Sequence, residues 1–187
     1  RLCYERGPSR WVVFVVRFRR SMSNTADKME ALRLLFVCTG NTCRSPMAEA
    51  IAKRAATSRG WTDVEVRSAG VAAYTGDIAS GGAVRAAKKN GVDISGHQAT
   101  PLTHEVAAWA DLVLVMSSGH LMRVAQLGAG EHASLLTAFA AGADGVAGSG
   151  TVPDPIGGSD DEYLFTFSFL EELIERVFER IEPVVVE

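Results

Sequence analysis

Cys38 and Arg44 are the residues whose types and spacing most directly suggest chemistry, because they stand six positions apart in one short segment. A cysteine thiolate is a strong nucleophile. An arginine guanidinium can grip two oxygens of a phosphate group at once, which a lysine cannot do. The pair therefore predicts a site in which a thiolate attacks a bound phosphoryl group.

The segments on either side of this pair can position it. The apolar run 34–37 predicts a strand buried on both faces, and Ser45 with Pro46 suits the start of a helix. In parallel sheets, the turn from a strand to a helix is where ligands bind. Its backbone N–H groups and the helix N-terminus would hold an oxyanion and stabilise the thiolate of Cys38.

The loop between the strand and the helix is predicted to bind phosphate. Gly40 permits a backbone conformation that a side chain would penalise, and Ser45 can both cap the helix and donate a hydrogen bond to the thiolate. A buried, inert thiol is the alternative for Cys38, since that is the usual state of a lone cysteine. The loop residues are Thr39, Gly40, Asn41, Thr42, Cys43 and Ser45.

Asp154 is the candidate general acid that would protonate a leaving group. It stands between Pro153 and Pro155, which stiffen its loop, and that loop can return over the strand ends. An Asp-Pro pair that simply makes a turn before a helix is an equally good interpretation.

The order of the predicted elements favours an α/β fold in a single three-layer domain. Strands that alternate with helices imply a parallel sheet covered by helices on both faces. The helix over 160–181 is amphipathic, with one apolar face formed by Phe165, Phe169, Leu173, Ile174, Val177 and Ile181. The strands are predicted at 34–37, 64–67, 111–116 and 134–137, and the helices at 45–59, 82–89, 102–109, 120–127 and 160–181.

Length, charge and cysteine content exclude several classes of protein. A chain of 187 residues fits one domain, and a net charge of -3 does not indicate a nucleic-acid partner. Three cysteines form no disulfide framework, so a cytoplasmic monomer is expected. The apolar run 11–16 is too short for a membrane span, which needs about 20 residues. His104, His120 and His132 lack metal-ligand spacing, so no metal is expected.

The first 28 residues differ from the rest, with six arginines among the first 20 positions. We expect a disordered leader or a mis-assigned start, for which Met22 and Met29 are alternative first residues, and a domain over 29–187. A basic arm that binds an acidic partner or a membrane surface is the other interpretation.

The run Leu35-Phe36-Val37-Cys38-Thr39-Gly40-Asn41-Thr42-Cys43-Arg44-Ser45-Pro46-Met47-Ala48-Glu49 resembles the signature of the low-molecular-weight protein tyrosine phosphatase family. Similar segments are 67–70, 110–116 and 154–159, so the resemblance covers about 32–181. It implies a four-stranded parallel sheet with flanking helices and phosphorylated protein substrates. It also implies a phosphocysteine at Cys38, phosphate binding by Arg44, Asp154 as general acid, and no metal or organic cofactor.

The same resemblance implies supporting roles for residues around the loop. Asn41, Ser45, Ser68 and His97 match positions that hold the loop in shape through hydrogen bonds, although a surface histidine remains the alternative for His97. Cys43 is open to two interpretations, a structural thiol or a resolving partner that forms a disulfide with Cys38.

Within the family, Thr42 and the run Gly157-Gly158-Ser159 resemble the bacterial protein arginine phosphatases, where this threonine is associated with selection of phosphoarginine. That subgroup often has an aromatic residue where this chain has Ile156, which implies a different pocket wall. A tyrosine phosphatase of the same family is the main alternative. Arsenate reductases of this fold use further cysteines, and none follows Cys43 here, which argues against that activity. A non-catalytic phosphate-binding module would not need Arg44 together with Asp154, which argues against that alternative as well.

Overall fold

The computed structural model describes residues 31–142 and 150–186, and its centre is a parallel sheet of four strands. The order across the sheet is β2-β1-β3-β4, and every neighbouring pair is parallel. The predicted α/β fold with a four-stranded parallel sheet is therefore confirmed. The strands are β1 Leu32–Cys38, β2 Val64–Gly70, β3 Leu112–Val115 and β4 Ala133–Leu135.

Six helices flank the sheet in the described part of the chain. One of them, α5, follows β4 directly, in a stretch where the sequence predicts only a strand and a loop. A single 3-10 turn, Gly130–His132, precedes β4. The helices are α1 Arg44–Ser58, α2 Gly81–Lys89, α3 His104–Trp109, α4 Ser118–Gln126, α5 Leu136–Ala141 and α6 Asp160–Val185.

The central strand β1 is apolar throughout because helices cover both faces of the sheet. Leu34 and Phe36 pack into the core formed with α1, α2, α5 and α6, whereas Leu35 and Val37 pack into the core formed with α3 and α4. All four side chains are completely buried. The alternation of a strand thus builds two cores and gives the predicted three layers.

Helix α6 buries Leu173, Ile174, Val177 and Ile181 as the sequence predicts, but its N-terminal half differs from the prediction. Phe165, expected inside, is 64% exposed and stacks on Phe169 along the outer side of the helix. Phe167 and Phe178 are completely buried instead. Apolar residues occupy six of the eight positions 163–170, so the pattern there is compatible with several faces, and packing against α1 and α2 selects one. The helix begins with a capping box between Ser159 and Glu162.

Two expectations fall on parts of the chain outside the described residues: the leader over 1–28 and most of the predicted loop over 140–150. Among the helices that are described, none combines the length and the hydropathy that crossing a bilayer requires.

Gly82, in the first turn of α2, lies under the ring of Tyr163 from α6. A Cβ atom added at Gly82 would come within 2.4 Å of two ring carbons, which is closer than real contacts allow. The absence of a side chain here lets α2 and α6 approach each other. Gly81, the preceding residue, meets only the flexible end of Arg85, at 3.0 Å.

We predict that Gly82→Ala lowers the free energy of unfolding by about 1–3 kcal/mol, because the extra methyl group overpacks this contact. Gly81→Ala is the matched control in the same turn, and it should be neutral or stabilising by up to about 1 kcal/mol, since alanine favours the helix. Urea unfolding of both variants measures the difference. Equal stabilities for the two variants would show that the Tyr163 contact does not constrain the helix pair.

Candidate active site

The loop 39–43 joins the C-terminal end of β1 to the start of α1, as the sequence predicts. Cys38 closes the strand and is only 2% exposed. The end of β2 presses against the same loop, because a Cβ atom added at Gly70 would lie 2.5 Å from the carbonyl oxygen of Thr39. The glycine therefore allows the backbones of β2 and the loop to touch.

Two groups of the loop and helix face the sulfur of Cys38. The backbone N–H of Asn41 donates to Cys38 Sγ over 3.3 Å, and Ser45 Oγ lies 3.0 Å from the same atom. The predicted contact between Ser45 and the sulfur is confirmed, but the prediction that Ser45 caps the helix is wrong. The N-cap residue is Cys43, which makes no side-chain cap hydrogen bond. Ser45 is the second residue of the helix, and its hydroxyl contacts the sulfur instead.

Asn41 organises the loop from its centre. Its side chain is completely buried, and its φ of 55° lies in the left-handed region that few residues other than glycine adopt. Its Nδ2 donates to Ser45 Oγ over 2.8 Å and to Ser68 Oγ over 2.9 Å, while its Oδ1 accepts from the backbone N–H of Thr100 over 2.8 Å. Through these hydrogen bonds, the side-chain amide of Asn41 holds α1, β2 and the 92–100 segment around one residue with a strained backbone.

The network extends one residue further in two directions. His97 Nε2 lies 2.8 Å from the carbonyl oxygen of Asn41, and because a carbonyl only accepts, this nitrogen carries the proton. Ser68 Oγ donates to Glu49 Oε2 over 2.6 Å. The structure therefore brings together the four residues expected to support the loop. The supporting role of Glu49 was not predicted from the sequence, although its position four residues after Ser45, on the same helix face, is a usable signal.

Arg44 begins α1 and is almost completely buried, and its Nη2 forms an ion pair with the carboxylate of Asp154. The same nitrogen donates to Thr39 Oγ1 over 3.4 Å, and Nη1 donates to the carbonyl oxygen of Val152 over 3.3 Å. Arg44 Nε is buried and has no hydrogen-bond partner among the described residues. A guanidinium with an unpaired buried donor beside the loop fits a bound anion, which would supply the missing acceptor.

The loop that carries Asp154 is tied to the end of β3, because the backbone N–H of Val152 donates to the carbonyl oxygen of Met116 over 2.9 Å. Asp154 is partly exposed, and its Oδ1 accepts from the backbone N–H of Ile156 over 3.3 Å. The side chain of Ile156 is 66% exposed on this loop. The sequence-predicted Cys38, Arg44 and Asp154 thus share one edge of the sheet.

Cys43 lies on the side of the loop that faces α6. Its Sγ is 3.1 Å from Ser80 Oγ and 3.6 Å from the hydroxyl of Tyr163, and the thiols of Cys38 and Cys43 are both free. Burial raises the pKa of Tyr163, so its hydroxyl is protonated at neutral pH. Ser80 also fixes Thr42, whose carbonyl oxygen accepts from the Ser80 N–H over 2.8 Å. No sequence pattern marks Ser80 or Tyr163 as neighbours of the loop.

A cavity of about 830 Å³ lies behind the loop, between α1, β2, α3 and the 92–100 segment. It is lined in part by Glu49, Ser68 and His97, which support Asn41 from that side. No set of three His, Cys, Asp or Glu side chains within residues 31–142 and 150–186 is arranged to hold a metal ion.

Residues 33–185 match the model of the low molecular weight phosphotyrosine protein phosphatase family. The chain is 41% identical over 150 residues to the protein-arginine-phosphatase of Bacillus subtilis (strain 168), with 80% of this chain and 96% of that protein aligned.

Solved structures give the same relationship. The YwlE arginine phosphatase, as a mutant with a phosphorylated active site serine, has a TM-score of 0.74 and 38% identity, and the match covers 81% of this chain and 96% of that one. The low molecular weight protein tyrosine phosphatase from T. tengcongensis has a TM-score of 0.73 and 41% identity, covering 80% and 99% of the two chains. The chain therefore belongs to the low-molecular-weight phosphotyrosine protein phosphatase family, which acts on phosphorylated proteins.

We predict that Asn41→Ala lowers the free energy of unfolding by about 2–4 kcal/mol, because it leaves buried polar partners unpaired and places alanine at a positive φ. Asn41→Gly is the matched variant: it also removes the amide but tolerates this backbone conformation, so it should be less destabilised by about 1 kcal/mol. Chemical denaturation measures both. A loss under 0.5 kcal/mol for Asn41→Gly would show that the amide network does not stabilise the loop.

Proposed function

We propose that this protein is a phosphatase that hydrolyses phosphoarginine in proteins through a phosphocysteine on Cys38. The geometry at the sulfur carries the proposal, since the Asn41 N–H donates to Cys38 Sγ over 3.3 Å and the Ser45 hydroxyl lies 3.0 Å away. Hydrogen bonds to sulfur favour the thiolate, which is the nucleophilic form. The similarity to arginine phosphatases directs the choice of substrate.

In the first step, the Cys38 thiolate attacks phosphorus, and the bond between phosphorus and the substrate's guanidino nitrogen breaks. The electron pair of that bond stays on the nitrogen, which takes a proton from Asp154. Arg44 and the loop N–H groups hold the phosphoryl oxygens on which charge is concentrated in the transition state. The products are a phosphocysteine and a free arginine side chain.

Arg44 changes partners when phosphate binds. Its Nη2 donates to the Asp154 carboxylate, and its buried Nε has no partner in the described part of the chain. A phosphoryl group in the loop offers acceptors to both nitrogens and competes with Asp154 for the cation. Once the carboxyl group leaves the guanidinium, it can carry the proton that the leaving group needs.

In the second step, water attacks phosphorus and the phosphorus–sulfur bond breaks. Asp154, now a carboxylate, takes a proton from that water, and the thiolate of Cys38 is restored with release of inorganic phosphate. Ser45 Oγ and the Asn41 N–H stabilise the departing thiolate with the same contacts that favour it before attack. No cofactor enters either step.

Thr42 is the residue we assign to substrate selection. Its side chain is partly exposed, and its hydroxyl has only a weak contact with Cys43 Sγ, at 3.7 Å. A phosphoarginine brings a guanidino group whose N–H groups need acceptors, and a hydroxyl at this position can supply one. Isoleucine would leave such a group unpaired, which costs about 1–3 kcal/mol.

Phosphotyrosine is the second candidate substrate. The side chain of Ile156 is 66% exposed on the Asp154 loop, so it offers an apolar surface that the flat ring of a tyrosine ester could contact.

We propose that the enzyme acts as a monomer in the cytoplasm on phosphorylated proteins, and binds neither nucleic acid nor membrane. Free thiols at Cys38 and Cys43 are what a reducing compartment maintains.

We predict that the wild-type protein has a higher kcat/KM for phosphoarginine than for phosphotyrosine, and that Thr42→Ile shifts this ratio toward phosphotyrosine by roughly 5- to 150-fold. Parallel kinetics on a phosphoarginine peptide and a phosphotyrosine peptide of the same sequence measure both ratios. Thr42→Ser, which keeps the hydroxyl, is the matched control and should retain the wild-type ratio. Cys38→Ser supplies the blank, because its hydroxyl is not ionised near neutral pH.

A wild-type preference for phosphotyrosine would replace the arginine-phosphatase assignment with the tyrosine-phosphatase one. Measurable turnover by Cys38→Ser would contradict the covalent mechanism itself.

We predict that Asp154→Asn lowers kcat/KM for phenyl phosphate, which reports formation of the phosphocysteine, by about 10²- to 10⁴-fold, the usual contribution of a general acid. The loss should be much smaller for 2,4-dinitrophenyl phosphate, whose leaving oxygen needs no proton. Asp161→Asn, an exposed acid in the first turn of α6, is the control and should leave both rates unchanged. Equal losses for the two esters would assign Asp154 a positioning role instead.

A further inference from the structure

His120 is buried behind the phosphate-binding loop, and the mechanism above does not use it. It lies in the first turn of α4, which follows β3, and it is 6% exposed. Its Nε2 is 3.0 Å from Thr39 Oγ1, and its Nδ1 is 2.9 Å from Ser117 Oγ, the N-cap of the helix. Both ring nitrogens are therefore engaged, one by the loop and one by the helix start.

The contacts form one continuous chain with Arg44. Arg44 Nη2 donates to Thr39 Oγ1, and a guanidinium can only donate, so this oxygen is an acceptor toward the arginine. A hydroxyl that accepts from a cation becomes a better donor, and Nε2 of His120 is the acceptor within reach. The proton of the ring then lies on Nδ1 and is donated to Ser117 Oγ. Hydrogen bonds run in a single direction: from Arg44 to Thr39, to His120, to Ser117.

The charge state of His120 agrees with this direction. Burial and, to a smaller extent, the positive charge of Arg44 lower the pKa of His120 to about 4, although the carboxylate of Asp154 opposes the shift in part. The ring is therefore neutral at pH 7 and keeps an unprotonated nitrogen. That nitrogen is free to accept from Thr39.

We propose that His120 is a positioning residue for phosphate binding, which acts through the Thr39 hydroxyl on the guanidinium of Arg44. By accepting a hydrogen bond from the Thr39 hydroxyl, it orients the oxygen of that group toward Arg44 Nη2. This contact is independent of Asp154, so it holds the guanidinium in place when phosphate displaces the carboxylate. The inference rests on the proposed role of Arg44 in binding phosphate, but not on the choice of substrate.

A double-mutant cycle tests whether His120 acts through Thr39. The variants are His120→Leu, which removes both ring nitrogens, Thr39→Val, which removes the hydroxyl at nearly constant volume, and the double variant. Two quantities are measured for each: kcat/KM for p-nitrophenyl phosphate, and the dissociation constant of inorganic phosphate by calorimetry. Phosphate binding needs no turnover, so it reports on Arg44 even where the proposed reaction is wrong.

We expect each single variant to weaken phosphate binding and lower kcat/KM by about tenfold, the effect of one lost hydrogen bond to a charged group. The double variant should lose no more than either single one, because both changes break the same chain. His120→Gln, whose Oε1 can accept from Thr39, should recover most of the loss. His132→Leu is the matched control: this histidine contacts the carbonyl oxygen of Ala107 and should leave both quantities unchanged.

Losses that multiply in the double variant would overturn the proposal, since His120 would then act independently of Thr39. Unchanged phosphate binding in His120→Leu would overturn it as well. If His120→Leu fails to fold, His120→Phe replaces it in the cycle. The comparison between His120→Gln and Thr39→Val needs neither of these variants. Nitrogen NMR shifts of His120 give a separate check: a proton on Nε2 at pH 7 contradicts the direction of the chain.

Discussion

The buried amide of Asn41 is the interaction on which the rest of the site depends. A loop that curls around a phosphoryl group must turn its N–H groups inward, and here the turn places a non-glycine residue at a φ of 55°. The hydrogen bonds of the side chain to Ser45, Ser68 and Thr100 offset that strain. Because these partners come from α1, β2 and a distant segment, the loop keeps its shape only in the folded domain.

The sheet brings the remaining groups to the same edge. β1 lies between β2 and β3, so the carboxyl ends of all three strands surround Cys38. β2 contributes Ser68 to the loop network, and the end of β3 leads to Ser117 and His120. The Val152–Met116 hydrogen bond then fastens the Asp154 loop over that edge. The functional side chains thus reach the site from several elements, and the parallel order of the strands makes them converge.

Electrostatics at this edge follow from burial. Arg44 is nearly inaccessible; its charge is balanced by Asp154, and it also donates to two neutral acceptors, Thr39 Oγ1 and the Val152 carbonyl oxygen. The same charge, together with burial, keeps His120 neutral. A buried guanidinium needs acceptors in either state, which is why partner exchange between Asp154 and a phosphoryl group is physically natural.

The sequence by itself determined the elements of the sheet and the order of residues in the loop. Fully buried strands read as continuous apolar runs, and the spacing from Cys38 to Arg44 is a local property of one turn. Ser45, Ser68 and His97 could be named because motif resemblance carries positional information. Tertiary structure alone decided that Phe167 rather than Phe165 is buried in α6, since apolar residues fill most of positions 163–170 and only packing selects among them. It also decided the partners of the loop: Ser80, His120 and Tyr163 are distant in sequence and unmarked by any pattern, and hydrogen bonds across such separations arise only once the chain is folded.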